Sequence, residues 1–327
     1  PFGRVLKPRP RLPITSLRTC LPSGVQALPA MIEIENLTKH FGPIAAVDGV
    51  SFAVAKGEVL GIRGPHRAGK PPTIQMITGY LTPTSGKIRV LGMDAVADPI
   101  SVQRVIGYLP EGAPAYGDMT PRQFLVFCAE ARGMGKSTRG QALERAVALT
   151  ALGDVLDQPI ETLSKGFKRR VGLAQAILPD PPVLVMDEPT DGLDPNQKHA
   201  VRDRIARMAK EKAIIISTHI LEEVDAVCSR AIIINCGRIV ADGTPGELMA
   251  RSRYHHAVTV VIAGPQVEAA RIAFRLNTNV LGHEERPAGG GKVAFTLMPR
   301  PGRSLVESLL ATLREKQIEA LEYIVEQ

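Results

Sequence analysis

The segment from Val183 to Asp194 places four acidic residues directly after a short hydrophobic run. Its adjacent carboxylates, Asp187 and Glu188, suit the transfer of a phosphoryl group to water. That reaction needs one negative group for Mg²⁺ and another to polarise the attacking water. If the run is a buried strand, its carboxyl end delivers both groups to the crevice where open α/β sheets bind ligands. Taken alone, the segment is more typical of a strand followed by an acidic turn.

A second segment, Gly64 to Lys70, has the pattern G-x-x-x-x-G-K. It follows a strand predicted at Glu58–Arg63 and precedes a helix predicted from about Thr73, which is the context in which such a loop binds phosphate. Backbone N–H groups and the helix N-terminus then surround the phosphates, and Lys70 reaches the outer ones. The alternative is an ordinary glycine-rich turn.

Two prolines follow this loop. The position after Lys70 is Pro71, where a Ser or Thr hydroxyl usually binds Mg²⁺, and Pro72 comes next. Proline has neither an N–H nor a hydroxyl, so the site loses two backbone donors and one metal ligand. The helix itself tolerates proline in its first turn. Arg67 also places a bulky side chain in the loop, where it either clashes with phosphate or contacts it.

The elements around these segments predict an α/β protein. Residues 31–92 are rich in strands, residues 120–156 have a helical period, and residues 164–235 alternate between helix and strand. Such alternation indicates a largely parallel sheet covered by helices. Residues 251–327 follow the order β-α-β-β-α-β, which predicts a ferredoxin-like accessory domain after a linker at 251–256.

Composition narrows the classes of partner. The net charge is +7, but residues 1–30 hold five basic and no acidic residues, so residues 31–327 carry only +2 and no nucleic-acid partner is expected. No apolar run approaches the roughly 18 residues of a membrane span, so a membrane role requires a partner. The four cysteines form no C-x-x-C pair, which favours a reducing cytosol. We expect residues 1–30 to be a disordered extension or a non-native leader.

Together the motifs resemble those of the ATP-binding subunits of ABC transporters, in the drug-export and gliding-motility branch. The matching features, in chain order, are Phe41 as the adenine-stacking aromatic, the loop 64–70, Tyr108-Leu-Pro-Glu111, the signature Leu163-Ser-Lys-Gly-Phe167, Asp187-Glu188, the D-loop Asp191-Gly-Leu-Asp194 and the switch segment Ser217-Thr-His219. The resemblance implies a P-loop NTPase cassette over residues 31–250, with a parallel-sheet core, an antiparallel β subdomain and a helical subdomain at about 112–160.

The resemblance also assigns roles. Glu188 orients water, Asp187 and Glu111 serve Mg²⁺, and His219 senses the γ-phosphate. The residues expected to contact ATP are Phe41, Gly64, Pro65, His66, Arg67, Ala68, Gly69, Lys70, Pro71, Pro72, Glu111, Ser164, Lys165, Gly166 and Asp194. Two copies would face head to tail, with each ATP between Lys70 of one and Ser164 of the other. A separate transmembrane permease would hold the subunit at the inner face of the cell membrane, where hydrolysis powers transport of a substrate.

Several interpretations compete with a working export ATPase. Pro71 and Pro72 favour a nucleotide-binding, non-hydrolysing regulatory subunit, whereas an intact Glu188 favours hydrolysis. The four departures from the usual loop, His66, Arg67, Pro71 and Pro72, are equally consistent with an altered copy of an active sequence. A soluble protein acting on ribosomes or DNA usually carries two cassettes or a long coiled insertion, and neither is present.

Three neighbouring features have structural interpretations. Lys168-Arg169-Arg170 is most simply a solvated helix face, and Phe167 is expected to pack rather than contact nucleotide. Ser164 is a helix N-cap as well as a signature residue. Asn235-Cys-Gly-Arg238 is expected to form a hairpin turn.

Overall fold

The computed structural model describes residues 30–65, 68–251, 256–300 and 303–325. The predicted N-terminal extension, apart from Ala30, lies outside the described residues, as does most of the predicted linker at 251–256. His66 and Arg67 of the phosphate loop also lie outside them.

The strands that precede residue 251 form two sheets. They are β1 (Ala30–Phe41), β2 (Ile44–Ala55), β3 (Val59–Arg63), β4 (Ser85–Val90), β5 (Met93–Asp94), β6 (Ile106–Leu109), β7 (Val183–Asp187), β8 (Ala213–Ser217), β9 (Arg230–Asn235) and β10 (Arg238–Gly243). The central sheet has the order β10-β9-β3-β8-β7-β6, and the second sheet has the order β2-β1-β4-β5. All pairs of the central sheet are parallel except β9–β10, whose antiparallel pairing confirms the hairpin predicted at Asn235–Arg238.

Helices occupy the segments between these strands. They are α1 (Lys70–Ile77), α2 (Pro99–Val105), α3 (Pro121–Ala131), α4 (Lys136–Thr150), α5 (Lys165–Ile177), α6 (Pro195–Ala209), α7 (Leu221–Val227) and α8 (Pro245–Ala250). The helical stretch predicted at 120–156 is therefore two helices. The break lies at Gly133, whose φ of 70° is readily adopted by glycine and ends α3.

The central sheet separates two hydrophobic cores. Every residue of β7 and β8 is buried, as expected for parallel strands that are covered on both faces. Successive side chains of a strand point to opposite faces. Leu184 and Met186 accordingly pack in the core with helices α3 to α6, and Val183 and Val185 pack in the core with β1, β2, β4 and α1. The predicted α/β cassette, with an antiparallel β layer and a helical layer, is confirmed.

The C-terminal residues form a third sheet with its own core. Its elements are β11 (Val258–Ala263), α9 (Gln266–Leu276), β12 (Val280–Pro287), β13 (Lys292–Pro299), α10 (Leu305–Glu315) and β14 (Ala320–Val325). The sheet is antiparallel with the order β12-β13-β11-β14. Phe274 of α9 and Phe295 of β13 meet edge to face in its core, with ring centroids 5.2 Å apart.

Candidate active site

Four parallel strands end at one edge of the central sheet, and each is followed by a predicted site segment. The pairing of Asp187 with Ser217 and of Ile62 with Ser217 aligns the ends of β7, β8 and β3. Strand β6 runs parallel beside β7 and leads to the turn that holds Glu111. The phosphate loop therefore starts next to both acidic segments, at the edge where open α/β sheets bind ligands.

Asp187 is the last residue of β7 and is 8% exposed. Its carboxylate oxygen Oδ1 accepts a hydrogen bond from the Ser217 hydroxyl, which fixes its orientation. Among the described residues, no group of three or more His, Cys, Asp and Glu side chains forms a metal cage. A single oriented carboxylate fits Mg²⁺, which binds through one or two carboxylates and takes its other ligands from phosphate oxygens and water.

Glu188 has a left-handed backbone, with a φ of 50°. This conformation is rare for residues other than glycine. It costs on the order of 1–3 kcal/mol, so it persists only where the surrounding structure holds it. Its N–H donates to the Ser217 carbonyl at 3.0 Å. Its side-chain Oε2 lies 2.9 Å from Nδ1 of His219, so the carboxylate and the imidazole share a hydrogen bond. The turn thus directs the Glu188 carboxylate toward the end of β8.

The phosphate loop is closed by its own lysine. Nζ of the buried Lys70 donates to the Gly64 carbonyl at 2.7 Å. A Cβ added at Gly64 would lie 2.2 Å from the Ile234 carbonyl oxygen, so only glycine fits there. Gly69 has a φ of 106°, and a Cβ on it would lie 2.4 Å from the Ala46 carbonyl oxygen. Both glycines of the motif are therefore required by the close packing of backbone around the loop.

The middle of the loop is only partly described, since His66 and Arg67 lie outside the described residues. Pro65 is exposed, Ala68 is buried, and the Ala68 N–H donates to the Pro65 carbonyl at 3.2 Å. The role expected for Arg67 therefore stays a prediction.

Helix α1 begins at Lys70, not at about Thr73, so both prolines lie inside its first turn. The predicted start was wrong because proline's fixed φ suits a first helical turn, where N–H groups have no intrahelical partner. The Thr73 hydroxyl does not replace the missing Ser or Thr, because it is fully buried and donates to the Gly69 carbonyl at 2.8 Å. The two prolines thus fit the helix that follows the loop, while two backbone donors and one hydroxyl of the usual pattern are missing.

The signature segment begins helix α5. The Ser164 hydroxyl accepts from the Phe167 N–H at 3.3 Å, so Ser164 is the predicted N-cap, and Phe167 packs against the hydrophobic core. Lys165 is exposed, whereas Gly166 is buried. Within the part of the chain that the structure describes, Ser164 and Lys70 share no hydrogen bond.

The D-loop lies against this segment. Asp194 caps α6 by accepting from the Gln197 N–H at 2.9 Å. A Cβ added at Gly166 would lie 2.7 Å from Oε1 of Gln197, and one added at Gly192 would lie 3.2 Å from the Lys165 side chain. The structure thus brings the signature and D-loop residues together on one surface.

Two further predicted residues are exposed. Phe41, at the end of β1, has 49% of its surface accessible and lies 5.2 Å from Nζ of Lys39, measured to the ring centroid. Glu111 lies in the turn after β6. Burial raises the pKa of Tyr108 to about 12, and the charges of Asp187 and Glu111 add to this effect, so both carboxylates act on the same region of the edge.

The comparisons with known proteins agree with this geometry. The ABC transporter family matches residues 47–191. Nod factor export ATP-binding protein I of Rhizobium meliloti is 34% identical over 235 residues, which cover 72% of this chain and 70% of that protein. The chain belongs to the ABC transporter family. The protein of the same name from Ralstonia nicotianae is 30% identical over 294 residues, or 90% of this chain and 87% of that protein. A solved ATP-binding subunit of an ABC transporter superposes with a TM-score of 0.62 at 30% identity, covering 67% of this chain and 91% of that one.

This membership favours the interpretation of the chain as a transporter ATPase. The chain is an ABC ATPase subunit, and its hydrolysis of ATP drives transport. The comparisons give no support to the alternative of a non-hydrolysing regulatory subunit. In the described part of the chain, no helix is long and apolar enough to cross a membrane.

Arg169 corrects the prediction of a solvated helix face at residues 168–170. Its side chain is 5% exposed and donates to the main-chain carbonyls of Pro110, Asp187 and Glu188. A spacing signal was present in the sequence, since Leu173 and Ala176 follow on the same helix face and are also buried. The arginine was misread because adjacent basic residues usually indicate an exposed surface.

Glu223 of α7 is a second buried charge that the motifs did not indicate, with 5% of its surface exposed. It accepts hydrogen bonds from the hydroxyls of Thr190 and Thr218, and Nζ of Lys198 lies 3.4 Å away. Thr190 follows the segment Asp187-Glu188, and Thr218 precedes His219. This carboxylate therefore ties together the two loops that carry the Glu188–His219 pair.

Proposed function

We propose that two copies of this ABC chain enclose ATP and hydrolyse it to drive export through a separate transmembrane permease. The observation that carries the proposal is the meeting of Asp187, Glu188 and His219 at the edge of the sheet where the Lys70 loop begins. The names of the Nod factor export relatives support export as the direction.

Glu188 is the proposed base. Water attacks the γ-phosphorus, a bond from the water oxygen to phosphorus forms, and the bond from phosphorus to the bridging oxygen of ADP breaks. The proton of the water passes to the Glu188 carboxylate. His219 holds that carboxylate through the 2.9 Å contact between Nδ1 and Oε2, and it is the proposed sensor of the γ-phosphate. Lys70 compensates the charge of the outer phosphates.

Mg²⁺ is the proposed cofactor of ATP. When bound, it neutralises phosphate charge as the leaving group departs. Asp187 would hold it, since the carboxylate is oriented by Ser217, and Glu111 would reach it through water from the turn after β6. The hydroxyl ligand that Pro71 lacks would be replaced by water, which Mg²⁺ readily keeps in its coordination shell.

A second copy is the proposed partner at the nucleotide. Ser164 begins α5, and the N-terminus of a helix attracts anions. Lys165 and Asp194 lie on the same exposed surface, where they would face a nucleotide that is held by the other copy. ATP that binds the closed pair more tightly than the open pair shifts the population toward closure, and hydrolysis reverses this shift.

A groove beside the helical layer is the proposed docking site for the permease. Its volume is about 410 Å³. Its lining combines aromatic and apolar residues, such as Tyr80, Tyr108 and Phe124, with the polar side chains of Gln75, Arg132 and Gln175. Pro110, which precedes Glu111, also lines it, so a helix of the permease in this groove would contact the turn that leads to the active site. This docking would hold the subunit at the inner face of the membrane.

The C-terminal residues are proposed to form a ferredoxin-like accessory domain. The order β-α-β-β-α-β and the separate core around Phe274 and Phe295 support an independent unit. The chain between residues 31 and 250 would then be the complete ATP-binding cassette.

The test is Mg²⁺-dependent ATP turnover by the full chain, measured beside Glu188→Gln and beside the double variant Pro71→Ser/Pro72→Thr. We expect turnover by the unaltered chain, a loss of about 100-fold or more in Glu188→Gln, and unchanged ATP binding in that variant. Turnover only after both prolines are replaced would contradict hydrolysis by this chain and would leave nucleotide binding as its role.

A further inference from the structure

Arg169 occupies an unusual position for a guanidinium group. It extends from α5 into the protein interior, and its partners are main-chain carbonyls on two other segments. Nη1 donates to Pro110 at 2.9 Å, and Nη2 donates to Asp187 and Glu188. One side chain therefore joins the signature helix, the turn after β6 and the catalytic turn after β7.

The burial of this charge requires compensation. Burial lowers the pKa of Arg169, and the charges of Asp187, Asp191, Glu188 and Glu111 oppose that effect. The charges of four carboxylates thus act on the guanidinium, while its hydrogen bonds go to carbonyl oxygens. Its Nε is buried and has no hydrogen-bond partner, so one donor of the guanidinium stays unpaired while the other two nitrogens bond to the carbonyls. A buried arginine with an unpaired donor is expensive, which points to a role beyond packing.

The catalytic turn needs such support. Glu188 has a positive φ, and its N–H and carbonyl are both engaged: the N–H donates to Ser217, and the carbonyl accepts from Arg169 and from the Asp191 N–H at 3.1 Å. The direction of the Glu188 side chain follows from this backbone geometry. A carbonyl released from the guanidinium would let the turn relax toward an ordinary conformation and would redirect the carboxylate.

We propose that Arg169 is a positioning residue for hydrolysis, which holds the left-handed turn at Glu188 and thereby aims the catalytic carboxylate. The inference rests on the proposed role of Glu188. Because the same guanidinium also holds Pro110, which lines the groove, a displacement of that turn is transmitted to the carboxylate through one side chain. No described residue of the phosphate loop is hydrogen-bonded to Arg169, so we expect ATP binding to be largely unchanged when Arg169 is replaced.

The test compares Arg169→Gln and Arg169→Lys with the matched control Arg170→Gln in the full chain. Arg170 is the next residue on the same helix and lies over the Phe167 ring at 5.0 Å. We expect Arg169→Gln to lower kcat by about 10- to 100-fold with the KM for ATP within about twofold, since a small misplacement of a catalytic group costs this much. Arg169→Lys, which keeps a cation and a donor, should recover part of kcat. The control should stay within about twofold in both constants.

Hydrogen–deuterium exchange gives a second result that does not depend on turnover. The amides of Glu188 and Asp191 should exchange at least about tenfold faster in Arg169→Gln and at the wild-type rate in Arg170→Gln. If the unaltered chain fails to hydrolyse ATP, the proposed hydrolysis is wrong, and the exchange rates alone decide whether Arg169 holds the turn. Equal exchange in both variants, an equal fall in kcat in both, or a rise in KM that accounts for the whole effect would overturn the positioning role.

Discussion

Replacement of Glu223 by alanine should strongly destabilise the cassette. The carboxylate accepts from the Thr190 and Thr218 hydroxyls, which are 3% and 0% exposed, so neither can turn to water after the substitution. A hydrogen bond to a charged group contributes about 1.5–3 kcal/mol, and two of them are lost. Lys198 and Arg202 are each about one-quarter exposed and regain hydration, so they add little. We expect the free energy of unfolding to fall by about 3–6 kcal/mol, the sum for two hydrogen bonds to a charged group.

The variant Glu223→Gln removes the charge of the side chain and keeps its shape. Glutamine keeps the length of the side chain and one acceptor oxygen, and a threonine hydroxyl can rotate to accept from its NH₂ group. The expected loss is therefore about 1–2 kcal/mol, the difference between a charged and a neutral hydrogen bond. Glu222→Ala is the matched control, because Glu222 precedes it on α7 and is exposed. Its expected effect is below about 0.5 kcal/mol.

The assay is urea unfolding followed by far-ultraviolet circular dichroism, since the chain has no tryptophan for fluorescence. With a slope of about 2 kcal/mol per molar urea, the alanine variant should unfold at a midpoint lower by about 2 M, at an unchanged slope. A loss below about 1 kcal/mol for Glu223→Ala, or equal losses for alanine and glutamine, would refute the argument that the charge holds the two loops together.

Two further predictions concern thiol chemistry and pH. Burial raises the pKa of Cys228 to about 12, whereas Cys236 is exposed. With the other two cysteines replaced by serine, iodoacetamide at pH 8 should therefore modify Cys236 at least about 100-fold faster than Cys228. Comparable rates would contradict the burial of Cys228. The hydrogen bond from Lys212 at 2.7 Å lowers the pKa of Asp180. This pair therefore stabilises the fold at any pH above the unfolded-state pKa of the carboxyl. The stabilisation is lost as the pH falls through the lower, folded-state pKa. Asp180→Asn should therefore cost less than about 1 kcal/mol at neutral pH and should flatten the acid limb of the stability curve, whereas an unchanged acid limb would argue against the pair.

The sequence predicted the elements whose residues are chemically uniform. Strands β7 and β8 are short apolar runs that are buried on both faces, and both follow from hydrophobicity alone. The loop from Gly64 to Lys70 was recognisable because its glycines are required by the backbone carbonyls of Ala46 and Ile234. The positions of those carbonyls cannot be read from the sequence, but the glycines that fit beside them can.

Other parts depend on contacts between distant segments and were missed. Strand β6 has only four residues, and its Gly107 and Tyr108 lack an apolar pattern, so the element that leads to Glu111 was not predicted. The start of α1 was placed too late, because a pair of prolines usually ends a helix pattern. Arginine is usually a surface residue. Arg169 is buried because its guanidinium donates to carbonyls at the ends of β6 and β7, and these contacts cannot be read from the sequence.

The bond between the Lys70 ammonium and the Gly64 carbonyl has a consequence for how nucleotide is selected. A free lysine side chain has about 2 kcal/mol of rotational entropy to lose, and here its bonds are already fixed around the loop. If Lys70 binds phosphate as proposed, the phosphate would replace a neutral acceptor by an anionic one without ordering the side chain that carries the charge. Nucleotides would then differ mainly in how many phosphate oxygens reach the ammonium. Such a loop would select by charge and by the length of the phosphate chain, even though Pro71 and Pro72 lack the N–H groups that usually add to recognition.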